Sequence, residues 1–149
     1  MRKVLIVAGL MMALSFASAK GYFGVFTGYP EAIGVQYSMD TGMRLSLGLP
    51  FFGGFGVAGS ADMILGSGDL GVENMDLSYY YGAGASAFFV SYVGYSDVGA
   101  NFHGLAGMEW LIPNTSFGVF WEGQLGVEYG TWSHFGPFFG GRVGVNFHQ

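Results

Sequence analysis

"SFGVFWEGQLGVEYG", running from Ser116 to Gly130, mixes aromatic and aliphatic side chains with Glu122, Gln124 and Glu128. All three polar residues fall on even positions. The odd positions read Phe117, Val119, Trp121, Gly123, Leu125, Val127 and Tyr129; the even ones read Gly118, Phe120, Glu122, Gln124, Gly126 and Glu128. Successive side chains of an extended chain point to opposite faces. The segment therefore predicts a strand with one apolar face, aromatic at each end, and one face of small or polar groups. Strands that cross a bilayer as part of a barrel carry this dyad, apolar outward and polar inward.

The split recurs along the chain. His103, Leu105 and Glu109 oppose Phe102, Ala106, Met108 and Trp110. Arg142 and Asn146 oppose Phe139, Val143, Val145 and Phe147, and Arg44 and Ser46 oppose Leu45 and Leu47. Ser60 and Asp62 oppose Val57, Ala61 and Met63. Only the first segment, "GYFGVFTG", leaves its faces open. Eight strands are expected at about 21–28, 33–40, 43–49, 55–65, 75–90, 99–111, 117–128 and 138–147. Turn signals such as "YPEA", "DTG", "PFFGG" and "PNTS" separate them.

Composition favours the same reading. Hydrophobic residues make up 51% and charged residues 10% of the chain, with 28 glycines. Soluble domains usually carry about 25% charged residues, so this outer surface is expected to face something other than water. "LSYYYGAGASAFFVSYVGYS", Leu77 to Ser96, is uncharged and long enough for a membrane helix. Its glycines, serines and β-favouring Tyr, Phe and Val argue against one. Helical spans and closed barrels are the two architectures that satisfy every backbone polar group in lipid, which leaves an up-and-down, eight-stranded antiparallel transmembrane β-barrel.

The opening "MRKVLIVAGLMMALSFASAK" has a basic start, an apolar run and a small-residue "ASA". It is expected to be a Sec signal peptide over residues 1–19, leaving 20–149 as one barrel domain exported to the outer membrane. There is no cysteine, hence no disulfide framework. Without Arg2 and Lys3, three basic residues face ten acidic ones, a net charge of −7. Nucleic acid is therefore not an expected partner. The expected partners are outer-membrane lipid, the outer-membrane assembly machinery and periplasmic chaperones, around a monomer.

On "YYGAGASAFF", "GLAGMEWLI", "GVFWEGQLGVEYG" and "GGRVGVNF" the chain resembles the small eight-stranded outer-membrane barrels of the OmpA-transmembrane-domain and OmpX type. That resemblance implies an envelope protein whose termini are both periplasmic. Loops near 27–32, 50–54, 91–98 and 129–137 would then face outside. Two features depart from the family pattern: Phe147 is followed by His148-Gln149, and the outer loops are short.

Eight strands enclose a space that side chains fill, and unpaired charge there is costly. A turn centred near Ser133 would bring Arg142 beside Gln124 and one diagonal step from Glu122. The 112–116 turn would set Glu109 near Glu122, and the "PFFGG" turn would set Arg44 opposite Asp62. Two structural clusters are thus expected: Arg142 with Glu122 and Glu109, and Arg44 with Asp62. A narrow ion or solute path along these groups is the alternative.

No catalytic, cofactor or metal site is expected. His103 reads as a hydrogen-bonded filler, while Ser133, His134 and His148 lack triad spacing. No HExxH, CxxC or Walker loop occurs. "GAGASAF" is not followed by a helix pattern. Trp110, Trp121, Trp132 and the tyrosines fit interface belts. A soluble, lipocalin-like binder would invert the faces, with the apolar set lining a cavity.

Overall fold

Alternation and turn chemistry generate eight strands in the computed structural model, which describes residues 21–50, 55–131 and 134–148. They are β1 (Gly21–Tyr29), β2 (Glu31–Met39), β3 (Met43–Pro50), β4 (Phe55–Asp69), β5 (Asp76–Tyr92), β6 (Tyr95–Leu111), β7 (Phe117–Gly130) and β8 (His134–Phe147). Each pairs antiparallel with its sequence neighbour, and β8 pairs with β1 to close the barrel. The expected signal peptide and the core of the "PFFGG" turn lie outside the described residues, as do Trp132 and Ser133.

The ends of several strands differ from expectation. The predicted 91–98 loop is a two-residue turn at Val93-Gly94, and pairing continues to Tyr92↔Tyr95. Gly94 has φ +97°, a conformation that side-chain-bearing residues rarely adopt. β7 and β8 likewise pair up to Gly130↔His134 inside the predicted 129–137 loop. Hydrophobic patterning fades near these tips, yet the backbone ladder runs on through them.

Closure sets the dimensions. A path along the paired residues from Val25 passes Val35, Leu47, Gly59, Ala87, Ala100 and Tyr129 and arrives at Phe135. β8 meets Val25 at Val145 instead, ten residues further along. With ordinary strand spacing and rise, a stagger of ten over eight strands tilts the strands by about 40° and gives a backbone radius of about 8 Å. One end, the terminal rim, carries Gly21, Phe147 and the turns at 40–42, 70–75 and 112–116. The other, the far rim, carries the remaining hairpin turns.

Glycine makes room inside this narrow tube. The ring of Phe26 lies over Gly34, Tyr80 over Gly107, Phe88 over Gly99 and Phe120 over Gly144, where a Cβ would collide with it. Phe120 is fully buried. The large inward side chains thus lie across glycines of neighbouring strands. Outward Gly123, by contrast, has nothing within 4 Å of the position a Cβ would take. We expect Gly34→Val to displace Phe26 and to lower stability by about 1–3 kcal/mol. Gly123→Val should be near neutral. Urea unfolding of the refolded protein in detergent measures both.

Candidate functional site

The inward residues form a polar column closed by aromatic rings. Arg44 on β3 directs Nε (3.2 Å) and Nη2 (3.0 Å) to Asp62 Oδ2 on β4, its direct cross-strand partner. The same Nη2 lies 2.7 Å from Glu122 Oε2 on β7, an ion pair outside hydrogen-bond alignment. Arg142 on β8 donates to Glu31 Oε1 at 2.7 Å and to the hydroxyls of Ser46 (3.2 Å) and Ser60 (3.4 Å). It also lies 3.7 Å from Asp62 Oδ2, with its guanidinium 4.7 Å from the Phe26 ring centre. Both arginines are 3% exposed. At that burial, several kcal/mol of desolvation per ion must be offset by partners.

The pairing departs from the expected clusters. The β7–β8 turn centres on position 132, so Arg142 faces Glu122 directly in the ladder. Even so, the ion pairs skip the ladder neighbour: Arg142 reaches past β1 to Glu31 on β2, and Glu122 crosses the lumen to Arg44 on the opposite strand β3. Adjacent inward side chains project side by side, and in a tube this narrow a long guanidinium reaches the facing strands. Glu109 joins neither arginine. Phe120 is its cross-strand partner on β7, while Gly107 lies opposite Glu122. It accepts instead from Asn146 Nδ2 at 2.7 Å and lies 2.9 Å from His148 Nε2.

Four buried carboxylates therefore share the lumen with two arginines, and imidazoles meet two of the four. His103 Nε2 lies 3.1 Å from Asp62 Oδ1 and its Nδ1 lies 2.7 Å from Asn101 Oδ1. His148 contacts Glu109 and packs against the Tyr22 ring, 4.4 Å between centroids. His134 is exposed at the start of β8. Gln124 donates to Glu122 Oε1 at 2.8 Å, and Gln36 to Asn146 Oδ1 at 2.9 Å. Among the described residues no group of three His, Asp or Glu is arranged to hold a metal.

Glu31 is the partner that alternation did not reveal. A register shift between Glu31 and Ile33 turns an odd-numbered residue inward on a strand whose other inward residues, Gly34, Gln36 and Ser38, are even. The bulge breaks the parity, and the turn-like "YPEA" gives no other signal.

Among the described residues the outer wall carries no charge. Of the charged residues described, Glu31, Arg44, Asp62, Glu109, Glu122 and Arg142 are buried inside. Asp97 and Glu128 line a cavity at the far rim. Asp40, Asp69, Glu73 and Asp76 lie at or beside the terminal-rim turns. What remains outside is apolar, including Ile33, Leu47, Leu49, Phe102 and Leu125. Phe23, Phe147 and Phe117 form a cross-strand row near the terminal rim, the last two packed edge to face at 5.2 Å. Tyr129 pairs with Phe135 near the far rim. Outward aromatics thus stand near both rims on the β7–β8 side.

Comparison with known proteins gives no match to a family model, a curated protein or a solved structure.

Arg44→Met should strand Asp62 and Glu122 and destabilise the barrel by about 3–5 kcal/mol. A double-mutant cycle tests the cross-lumen arrangement. We expect Arg142 with Glu31 to couple by about 1–3 kcal/mol, more strongly than Arg142 with Glu122. The reverse order would favour pairing between ladder neighbours.

Proposed function

We propose that this chain is an outer-membrane β-barrel protein of a diderm bacterium, a structural component of the envelope with a plugged lumen and no catalytic activity. One observation carries the reading: among the described residues, an outer wall without a charged side chain encloses every buried ion, with outward aromatics near both ends. Lipid satisfies that wall and water does not. The eight or nine residues of β1, β2 and β3 approach the minimum for a tilted membrane strand. The 17-residue β5 and β6 exceed it and would stand clear of the hydrocarbon.

A soluble lipocalin-like binder would require the opposite polarity, with the exposed leucines and phenylalanines in contact with water. A conducting pore would require the Arg44 and Arg142 contacts to give way, because these side chains and Phe120 occupy the bore. Hydrolytic chemistry gains no support from His103, which is buried with both ring nitrogens engaged. A small-ligand role is favoured by the cavities at the two rims, about 490 Å³ at the terminal rim and about 300 Å³ at the far rim. Lipid and the outer-membrane assembly machinery with its chaperones are the partners this reading implies, around a monomer.

Cell fractionation tests the reading. The protein should require detergent for extraction and should run faster on gels unheated than boiled. In planar bilayers the refolded chain should show no stable single-channel steps. Recovery as a soluble protein without detergent would overturn the membrane assignment; steady conductance would overturn the plugged lumen alone.

A further inference from the structure

We infer that the cavity at the far rim is a binding site for a small organic ammonium ion, of the quaternary or fully alkylated class, carrying an aromatic or short alkyl group. The cavity measures about 300 Å³. Its shape follows from the stagger of the strands. β8 pairs with β1 only as far as Gly141↔Tyr29, so His134–Gly140 rise past the end of β1. Pro137 lies within that rising segment, where its missing N–H removes one donor from the free edge. β1 and β3 stop at Tyr29 and Pro50, whereas β5 climbs to Tyr92. The result is a cup, low at the β1–β2 turn and backed by the tall wall of β5 and β6.

The lining defines the ligand. Phe88 and Tyr92 are the inward aromatic residues of the lining, with Tyr29 at its lip; buried Val90 adds apolar surface, and Asp97 and Glu128 add two carboxylates. Asp97 is held by the hydroxyl of Thr131, which donates to its Oδ1 at 2.7 Å. The two described arginines are engaged deeper in the lumen, Arg142 by Glu31 and Arg44 by Asp62 and Glu122. Neither lines the cup. Aromatic faces and carboxylates attract a cation and repel an anion. A quaternary ammonium has no N–H to satisfy and can rest its alkyl groups on the ring faces while the carboxylates balance its charge; a primary amine would instead turn its three donors to Asp97 and Glu128 and gain less from the rings. The inference stands on the cavity alone and does not depend on what surrounds the outer wall.

The test is calorimetric titration of the refolded protein, in an uncharged maltoside detergent, with benzyltrimethylammonium and with its neutral carbon isostere neopentylbenzene. Saturable binding of the cation is expected, about tenfold tighter than that of the isostere. The double variant Asp97→Asn/Glu128→Gln should weaken cation binding by about tenfold. Tyr92→Leu, which keeps the bulk and removes a ring face, should weaken it severalfold. Equal affinity for the two probes, or an affinity unchanged in a variant whose gel mobility shows it folded, would overturn the proposal, as would the absence of saturable binding. If the double variant does not fold, Tyr92→Leu and the isostere comparison decide the matter. Insolubility or misplacement of the protein in cells would bear on the membrane reading and not on this one.

Discussion

Two guanidiniums and four carboxylates are confined to a tube about 8 Å in backbone radius, and the rest of the structure accommodates that confinement. Ions so placed are tolerated only when each is held by partners. Here Arg44 bridges Asp62 and Glu122, Arg142 holds Glu31 and approaches Asp62, and His103 and His148 contact Asp62 and Glu109. These contacts join β2, β3, β4, β6, β7 and β8 across the axis. A one-residue slip of any strand would send its ion to the outer wall. The network therefore selects the register at which the barrel closes.

Packing and polarity solve complementary parts of the same problem. The inward volume is shared between ions and rings, and glycines on neighbouring strands give the rings of Phe26, Tyr80, Phe88 and Phe120 their space. Glycine at Gly34, Gly99, Gly107 and Gly144 is thus a steric consequence of filling a small bore with large side chains. With the ions enclosed, the outer wall is left to valine, leucine, alanine and aromatics. The same stagger that closes the tube tilts its far rim and leaves the cup between Tyr29 and Tyr92.

Much of this was legible in the sequence. The eight strands and the inward placement of Arg44, Asp62, Glu109, Glu122 and Arg142 follow from period-two alternation, because parity alone decides the face. The Arg44–Asp62 contact follows from a hairpin turn that sets both residues on one rung. The Arg142–Glu31 and Arg44–Glu122 contacts do not follow, since they link strands that are not ladder neighbours and depend on which inward residues share a level of the closed tube. That is fixed by the ten-residue offset between β8 and β1, a property of closure that no local pattern records. Glu31 was hidden for a different reason, the bulge that reverses its parity. The cup was hidden as well, because its walls come from strands of unequal reach.

The central claim is that the apolar faces meet hydrocarbon while the ionic faces are sealed within. Nuclear Overhauser contacts in lipid nanodiscs measure this without altering the protein. Methyl groups of Val35, Leu47, Leu125 and Val127 should show contacts to lipid acyl chains and none to water. Leu105, buried among the inward residues, should show no lipid contact. Water contacts along the methyls of these four wall residues, or acyl-chain contacts at Leu105, would contradict the account.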